Sequence, residues 1–222
     1  MHTQVKQITC KLFPENEILN SNYQASSQTS TVGGFFMSKE KKFTTKQLVF
    51  AAMAIALATV VVTVIKLPSL PNGGSVTLFS MLLVTLVGYW YGPVVGITAA
   101  VGFGILQFIT GPYVVHPIQV IIDYPLAFGA LGFSGFFANK KNGLLKGYIA
   151  GVLGRFFFAS VSGLIFYTVY VESLGENMVA MWASLVYNMT YILPEAVITI
   201  LLISVPAVKS ALAQIKEMAL QS

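Results

Sequence analysis

Charge is what this sequence has least of: Asp, Glu, Lys and Arg together make up 9% of its 222 residues, where an ordinary soluble domain carries roughly 25%. A water-facing surface needs more than that, which excludes a soluble globular enzyme. Cysteine is nearly absent too. Cys10 stands alone and cannot close an internal disulfide, and two histidines, His2 and His116, are too few for a histidine-based metal site. No metal or cofactor is therefore expected. Catalytic signatures are missing as well. Ser160 and Ser162 have no neighbouring histidine, and neither G-x-S-x-G nor the phosphate-binding G-x-x-x-x-G-K-[ST] occurs. GYWYGPVVG contains glycine but lies between apolar segments. The expectation is a protein that is no enzyme and has no energy source of its own. What the chain does have is apolar length: 55% of residues are hydrophobic and the mean hydropathy is +0.75. At about 20 residues per crossing of a bilayer core roughly 30 Å thick, this is enough for five or six spans and no separate soluble domain.

Residues 1–36 differ from the rest, being rich in Gln, Ser, Thr and Asn without an apolar run. They read as a disordered tail and lack the apolar core of a secretory signal. MSKEKKFTTKQLVF, opening at Met37, is the more natural start, so residues 1–36 are expected to be a mis-assigned beginning and 37–222 the membrane domain. An intact mass of the natively expressed protein that includes the tail rejects this. Six apolar segments follow, at about 46–65, 77–91, 94–109, 117–137, 145–170 and 178–205, each closed by Pro, Gly or charged residues. The second and third are short, which suits tilt or a re-entrant stretch. With six spans, Lys39, Lys41, Lys42, Lys46, Lys140, Lys141, Lys146, Lys209 and Lys216 all fall on one side, against Lys66, Glu172 and Glu176 on the other. Five or seven spans destroy this segregation. The net charge of +5 is thus a lysine fringe at a lipid bilayer rather than a nucleic-acid surface. The expectation is an all-α integral membrane protein, a bundle of six transmembrane helices with N and C termini cytoplasmic, multi-pass in the cell membrane.

Small residues recur four apart: Ala52 and Ala56, Ala54 and Ala58, then Gly88, Gly92 and Gly96, and Gly143, Gly147 and Gly151. Such spacing lets helix backbones approach closely, and packing inside one chain is its commonest use. The AAMAIALA run is denser than internal packing requires, so a docking surface for another membrane protein is the alternative. No inverted repeat relates the two halves.

Inside the spans the ionisable groups are Asp123, Arg155 and Glu195. Each costs about 3 kcal/mol or more at the bilayer centre, which marks it as a functional candidate. Structural readings stand beside the functional ones: Arg155 as the partner of Asp123, and Glu195, after Pro194, as a partner for backbone freed by the proline. Asp123 lies in GPYVVHPIQVIIDYPLAFGALG with Tyr113, His116 and Tyr124. There a carboxylate among rings suits a ligand that is cationic or rich in N–H donors, although tyrosines alone also fit an interfacial belt. Tyr167, Tyr170, Trp182, Tyr187, Asn188 and Tyr191 collect on the same side. Asn188 adds an amide with both donors and acceptor, matched to a heterocycle. Spans four, five and six are thus expected to wall an outward-opening aromatic pocket.

GGSVTLFSMLL, GPYVVHPIQVIIDYPLAFGALGFSG and SLVYNMTYILPEA resemble the thiamine-specific substrate-binding subunit of energy-coupling factor transporters, the ThiT family, over about residues 46–208. The resemblance implies six helices and vitamin binding near the outer surface. It also implies docking through first-helix alanines, Ala52 and Ala56 here, onto a shared transmembrane coupling subunit with two ATPase subunits. Residue by residue, the pocket glutamate of the family falls on Asp123, its following tyrosine on Tyr124 and an earlier tyrosine on Tyr113. A basic residue falls on Arg155, the pyrimidine-binding asparagine on Asn188 and a stacking tryptophan on Tyr167. Two positions depart: the expected histidine is Ala159 and an expected tyrosine is Ala183, with Trp182 beside it as a substitute. These gaps imply a larger pocket or altered hydrogen bonding, and leave thiamine or a close precursor or analogue as the ligand. The rival expectation is a stand-alone carrier in which Asp123 or Glu195 takes up a proton.

Overall fold

The computed structural model describes the backbone of residues 43–65, 70, 74–170 and 177–221, and their side chains except at 167–170 and 177–180. Among these residues the fold is helical throughout: α1 Thr45–Val64, α2 Ser80–Tyr91, α3 Pro93–Thr110, α4 Pro117–Phe137, α5 Gly143–Tyr170, α6 Asn177–Ser204 and α7 Pro206–Leu220. The residues 1–36 taken as a tail, Met37, Lys39, Lys41, Lys42, Lys66, Glu172 and Glu176 lie outside the described residues.

Local sequence explains most boundaries. Thr44 and Gln47 form a reciprocal capping box at the start of α1. Pro93, Pro117 and Pro206 each occupy the first position of a helix, where a missing N–H costs nothing. Between α2 and α3, Gly92 sits at φ 90°, a left-handed conformation that lets two helices meet with a single residue between them.

Five of the helices are long and apolar enough to cross a membrane. The second expected span, 77–91, is shorter than the sequence predicts. Its helix begins at Ser80 rather than Thr77, because Phe79 is left-handed at φ 63°, and its 12 residues reach only about 18 Å at 1.5 Å per residue. The fold also adds α7, which the hydropathy reading did not foresee. Its apolar positions Leu212, Ile215 and Ala219 pack against the bundle, while Lys209, Gln214 and Glu217 stay at its surface.

The most deeply embedded span is α4, with 44% of its most apolar stretch buried against 11% for α1. Its inner half, Ala130–Phe137, winds as a tight 3-10 helix packed against α2, α3 and α5. The glycine spacing explains how. Gly96 abuts Gly88 and Gly132, and Gly143, Gly147 and Gly151 lie against Phe137, Ser134 and Leu131, so a side chain at these glycines has no room. Ser134 Oγ then donates to Thr85 O at 2.7 Å, tying α4 to α2 inside the core. On α1, Ala51, Ala54 and Ala58 face the core, whereas Ala52 and Ala56 are exposed.

The two ends of the bundle differ. At one, α7 is fastened by its neighbours: Tyr91 Oη donates to Ala219 O (3.1 Å) and Lys216 Nζ to Ala138 O (2.7 Å). Lys209 Nζ reaches Asn142 Oδ1 at 3.3 Å, and Lys46 Nζ hydrogen-bonds Gln221 O. Lysines 46, 140, 209 and 216 therefore share this end. At the other end the segment 74–80 and the α3–α4 connection border a cavity.

Candidate ligand-binding site

The cavity has a volume of about 530 Å³, within the range of small-molecule sites. It is walled by more than the three helices expected. To α4, α5 and α6 the structure adds the segment 74–80, the end of α1 through Val62 and Thr63, and the end of α3 through Gln107 and Thr110.

Asp123 stands on its wall because α4 is irregular there. After a short α-helical start, Ile122–Leu126 forms a π-helical turn containing Pro125. Proline supplies no N–H and pushes away the preceding turn, and such π-bulges often re-aim side chains at functional sites. One turn earlier, Gln119 is buried and donates through Nε2 to Asp123 Oδ2 at 2.7 Å. Its Oε1 accepts from Val115 N at 2.8 Å. The glutamine thus holds the carboxylate in one orientation and ties it to the α3–α4 connection. The Ser162 hydroxyl lies beside the same carboxylate from α5.

Tyr113 and Tyr124 also line the cavity, and Tyr124 Oη accepts from Tyr113 N at 2.9 Å. The Tyr124 ring meets Phe108 edge-on at 5.2 Å. Arg155, on α5, also lines the cavity, with its guanidinium 4.2 Å above the Phe128 ring of α4, a cation–π contact. Among the described residues no ion pair joins Arg155 to Asp123, so the structural pairing considered for them is not made. Asn188 is buried on the α6 wall. Its Nδ2 donates to Ser184 O (2.9 Å) and Ala159 O (3.3 Å), and Tyr191 Oη donates to its Oδ1 (2.6 Å). Ala159 itself borders the cavity between Arg155 and Ser162.

Trp182 does not join them: it is 60% exposed on the outer face of α6 and absent from the cavity wall, so it cannot substitute for an aromatic residue there. Helical rotation explains this, since Trp182 lies six residues before Asn188 and faces away. Ala183 likewise stands off the wall. The side chains of Tyr167 and Tyr170 lie outside the described residues. His116 is exposed, caps the start of α4 by accepting from Ile118 N (3.2 Å), and stacks on Phe166 at 5.4 Å. Glu195 is buried behind the wall. Its carboxylate does not reach backbone freed by Pro194 but accepts from Thr77, Ser80 and Met81.

A sequence model of the family described as thiamine transporter protein matches residues 48–215, the span that holds every cavity-lining side chain named above. The chain belongs to the thiamine transporter family. Consistent with that membership, it is 31% identical over 145 residues to the thiamine transporter ThiT of Bacillus subtilis (strain 168), covering 59% of this chain and 73% of that one. Its fold is similar to the solved structure of ThiT from Listeria monocytogenes, with a TM-score of 0.53 and 25% identity over 73% of this chain and 96% of that one. Membership of a transporter family, together with five membrane-length helices, makes this a multi-pass protein of the cell membrane and of transporter rather than enzyme type.

Within the cavity, sequence reading missed Gln119. Its signal was present: a polar residue four before an intramembrane carboxylate shares that carboxylate's helix face. Phe166 and Ser184 on the wall carried no comparable signal.

Proposed function

We propose that this protein captures thiamine, or a close precursor or analogue, from outside the cell and delivers it inward as the substrate-binding subunit of an energy-coupling factor transporter. The observation that carries the reading is the one carboxylate among the described cavity-lining residues, Asp123, fixed by Gln119 in a cavity of aromatic rings at the bundle end remote from lysines 46, 140, 209 and 216. Thiamine joins a cationic thiazolium to an aminopyrimidine. In this reading Asp123 takes the cationic or N–H donor side. Tyr113, Tyr124 and Tyr167 supply ring faces, and Arg155 lines the cavity over the Phe128 ring. Asn188 has its N–H groups engaged by Ala159 and Ser184, which leaves the second lone pair of Oδ1 to accept from the pyrimidine amine. The lysine-rich end with both described termini would face the cytoplasm, in accord with the positive-inside rule.

Energy would come from partners, a transmembrane coupling subunit and two ATPases, docked through the α1 face that carries Ala52 and Ala56. That both alanines are exposed while Ala51, Ala54 and Ala58 are internal supports this. The rival, a proton-coupled carrier, is weakened because Glu195 is engaged by three donors, one of them the Met81 backbone N–H.

The test is to purify the protein in detergent, identify retained small molecules by mass spectrometry, and titrate thiamine calorimetrically. Asp123→Ala should weaken binding by about 1.5 to 3 kcal/mol, the worth of a charge-assisted hydrogen bond. Unchanged affinity in that variant rejects the assignment.

A further inference from the structure

Helix α2 starts in an unusual setting. Its N-cap residue, Phe79, offers no side-chain hydrogen bond, yet the start of a helix leaves backbone N–H groups without partners. At this depth water is scarce: Glu195, which faces the helix start, lies near the middle of the membrane-length stretch Met181–Ser204. The missing cap comes from α6. Glu195 Oε1 accepts from Met81 N (3.0 Å) and Ser80 Oγ (3.0 Å), Oε2 accepts from Thr77 Oγ1 (2.8 Å), and Thr77 Oγ1 and Ser80 Oγ are 2.9 Å apart. The negative charge also complements the positive end of the helix. Thr77 and Ser80 line the cavity, whereas Glu195 stands behind them, 2% exposed. Two turns outward on α6, Tyr187 Oη accepts from Gly74 N at 2.8 Å, so the segment 74–81 is pinned to α6 at both ends.

We propose that Glu195 is a positioning residue for the ligand cavity: from behind the wall it fixes the Thr77 and Ser80 hydroxyls and the strap 74–81 in the arrangement that receives the ligand. It touches no ligand itself. Pro194 immediately precedes it inside α6. The inference rests on the thiamine reading for its probe.

Thiamine affinity is measured calorimetrically on the full chain in detergent, with hydrogen exchange of the 74–81 backbone in parallel. Glu195→Gln should weaken binding at least about tenfold, the equivalent of one charge-assisted hydrogen bond, and speed exchange at Met81 while helical content is kept. Thr77→Val should reproduce much of that loss, Thr77→Ser should restore affinity, and E195Q combined with T77V should lose less than the sum of the two. A purely structural role lowers the melting temperature of E195Q but leaves the affinity of the folded protein within twofold of wild type, and that result overturns the proposal. If E195Q does not fold, T77V and S80A decide: wild-type affinity in both overturns it. Should wild type itself ignore thiamine, the ligand reading fails, and unchanged exchange of 74–81 in E195Q still overturns the positioning role.

Discussion

At Ala159 a methyl group borders the cavity where the family resemblance leads one to expect an imidazole. It lies one helical turn after Arg155, and its carbonyl already accepts from Asn188. The space beside it is therefore ligand space, since the neighbouring amide is held by backbone. Ala159→His should restore a polar ring without disturbing the Asn188 contacts, which use only the backbone of residue 159. If thiamine is the ligand, this variant should bind it about fivefold more tightly, the gain of one ordinary hydrogen bond near 1 kcal/mol, as read by calorimetry. Weaker binding in A159H shows that the natural ligand itself fills that volume, which points to a bulkier analogue. The same scale shows what was readable from the sequence and what was not. Asp123 and Arg155 stood out because intramembrane charge is rare, and both line the cavity. Glu195 stood out equally, but hydropathy carries no information on what a buried carboxylate touches, and its partners lie more than a hundred residues away in the chain. Trp182 is expected at the site as a substitute for the missing tyrosine at the adjacent Ala183, but helical rotation puts it on the outside.

Among the elements, the long apolar helices were legible to within a few residues because hydropathy and breakers act locally, and the glycine repeats marked faces of close packing, which the structure shows to be those that meet α4. Helix α7 escaped because its apolar positions are a narrow stripe on a polar helix, a signal that hydropathy averages away. In the fold it is a clasp. The last turn of a helix leaves carbonyls without partners, and here Ala219 O and Gln221 O are taken by Tyr91 and Lys46, from α2 and α1. Lys216 adds a bond to Ala138 O and lies 3.8 Å over the Tyr89 ring, reaching α2 and the end of α4. One short helix thus links three others at the end opposite the cavity. Tyr91→Phe and Lys216→Met should each lower stability by about 1 kcal/mol, the loss of one hydrogen bond, detected as a lower melting temperature in detergent. Thiamine affinity should stay within twofold in both, since neither residue approaches the cavity. A large loss of affinity would mean that the clasp and the site are coupled through the bundle.

For the molecule as a whole, the distribution of burial separates a site-forming body from a helix that is mostly surface. The deeply embedded α4 carries Asp123, whereas α1 buries only three alanines on its inner face and exposes Leu48, Val49, Met53, Leu57 and Val60 on its outer one. Lipid alone explains the large apolar side chains. It does not explain Ala52 and Ala56, exposed among them, because small residues gain nothing from lipid contact and serve to let another backbone come close. Under the proposed function such a face would receive the coupling partner, and the cavity lies at the far end of α1, where Val62 and Thr63 reach its wall. Phenylalanine at both Ala52 and Ala56 should therefore divide binding from transport. The purified variant should keep its helical content and bind thiamine within twofold of wild type, because neither side chain enters the core. Uptake of labelled thiamine by cells that carry the coupling subunit and ATPases should fall at least about tenfold, since two bulky rings hold the helices apart at a packed interface. Undiminished uptake with intact binding excludes α1 as the docking helix and leaves the energy source to be sought on another face.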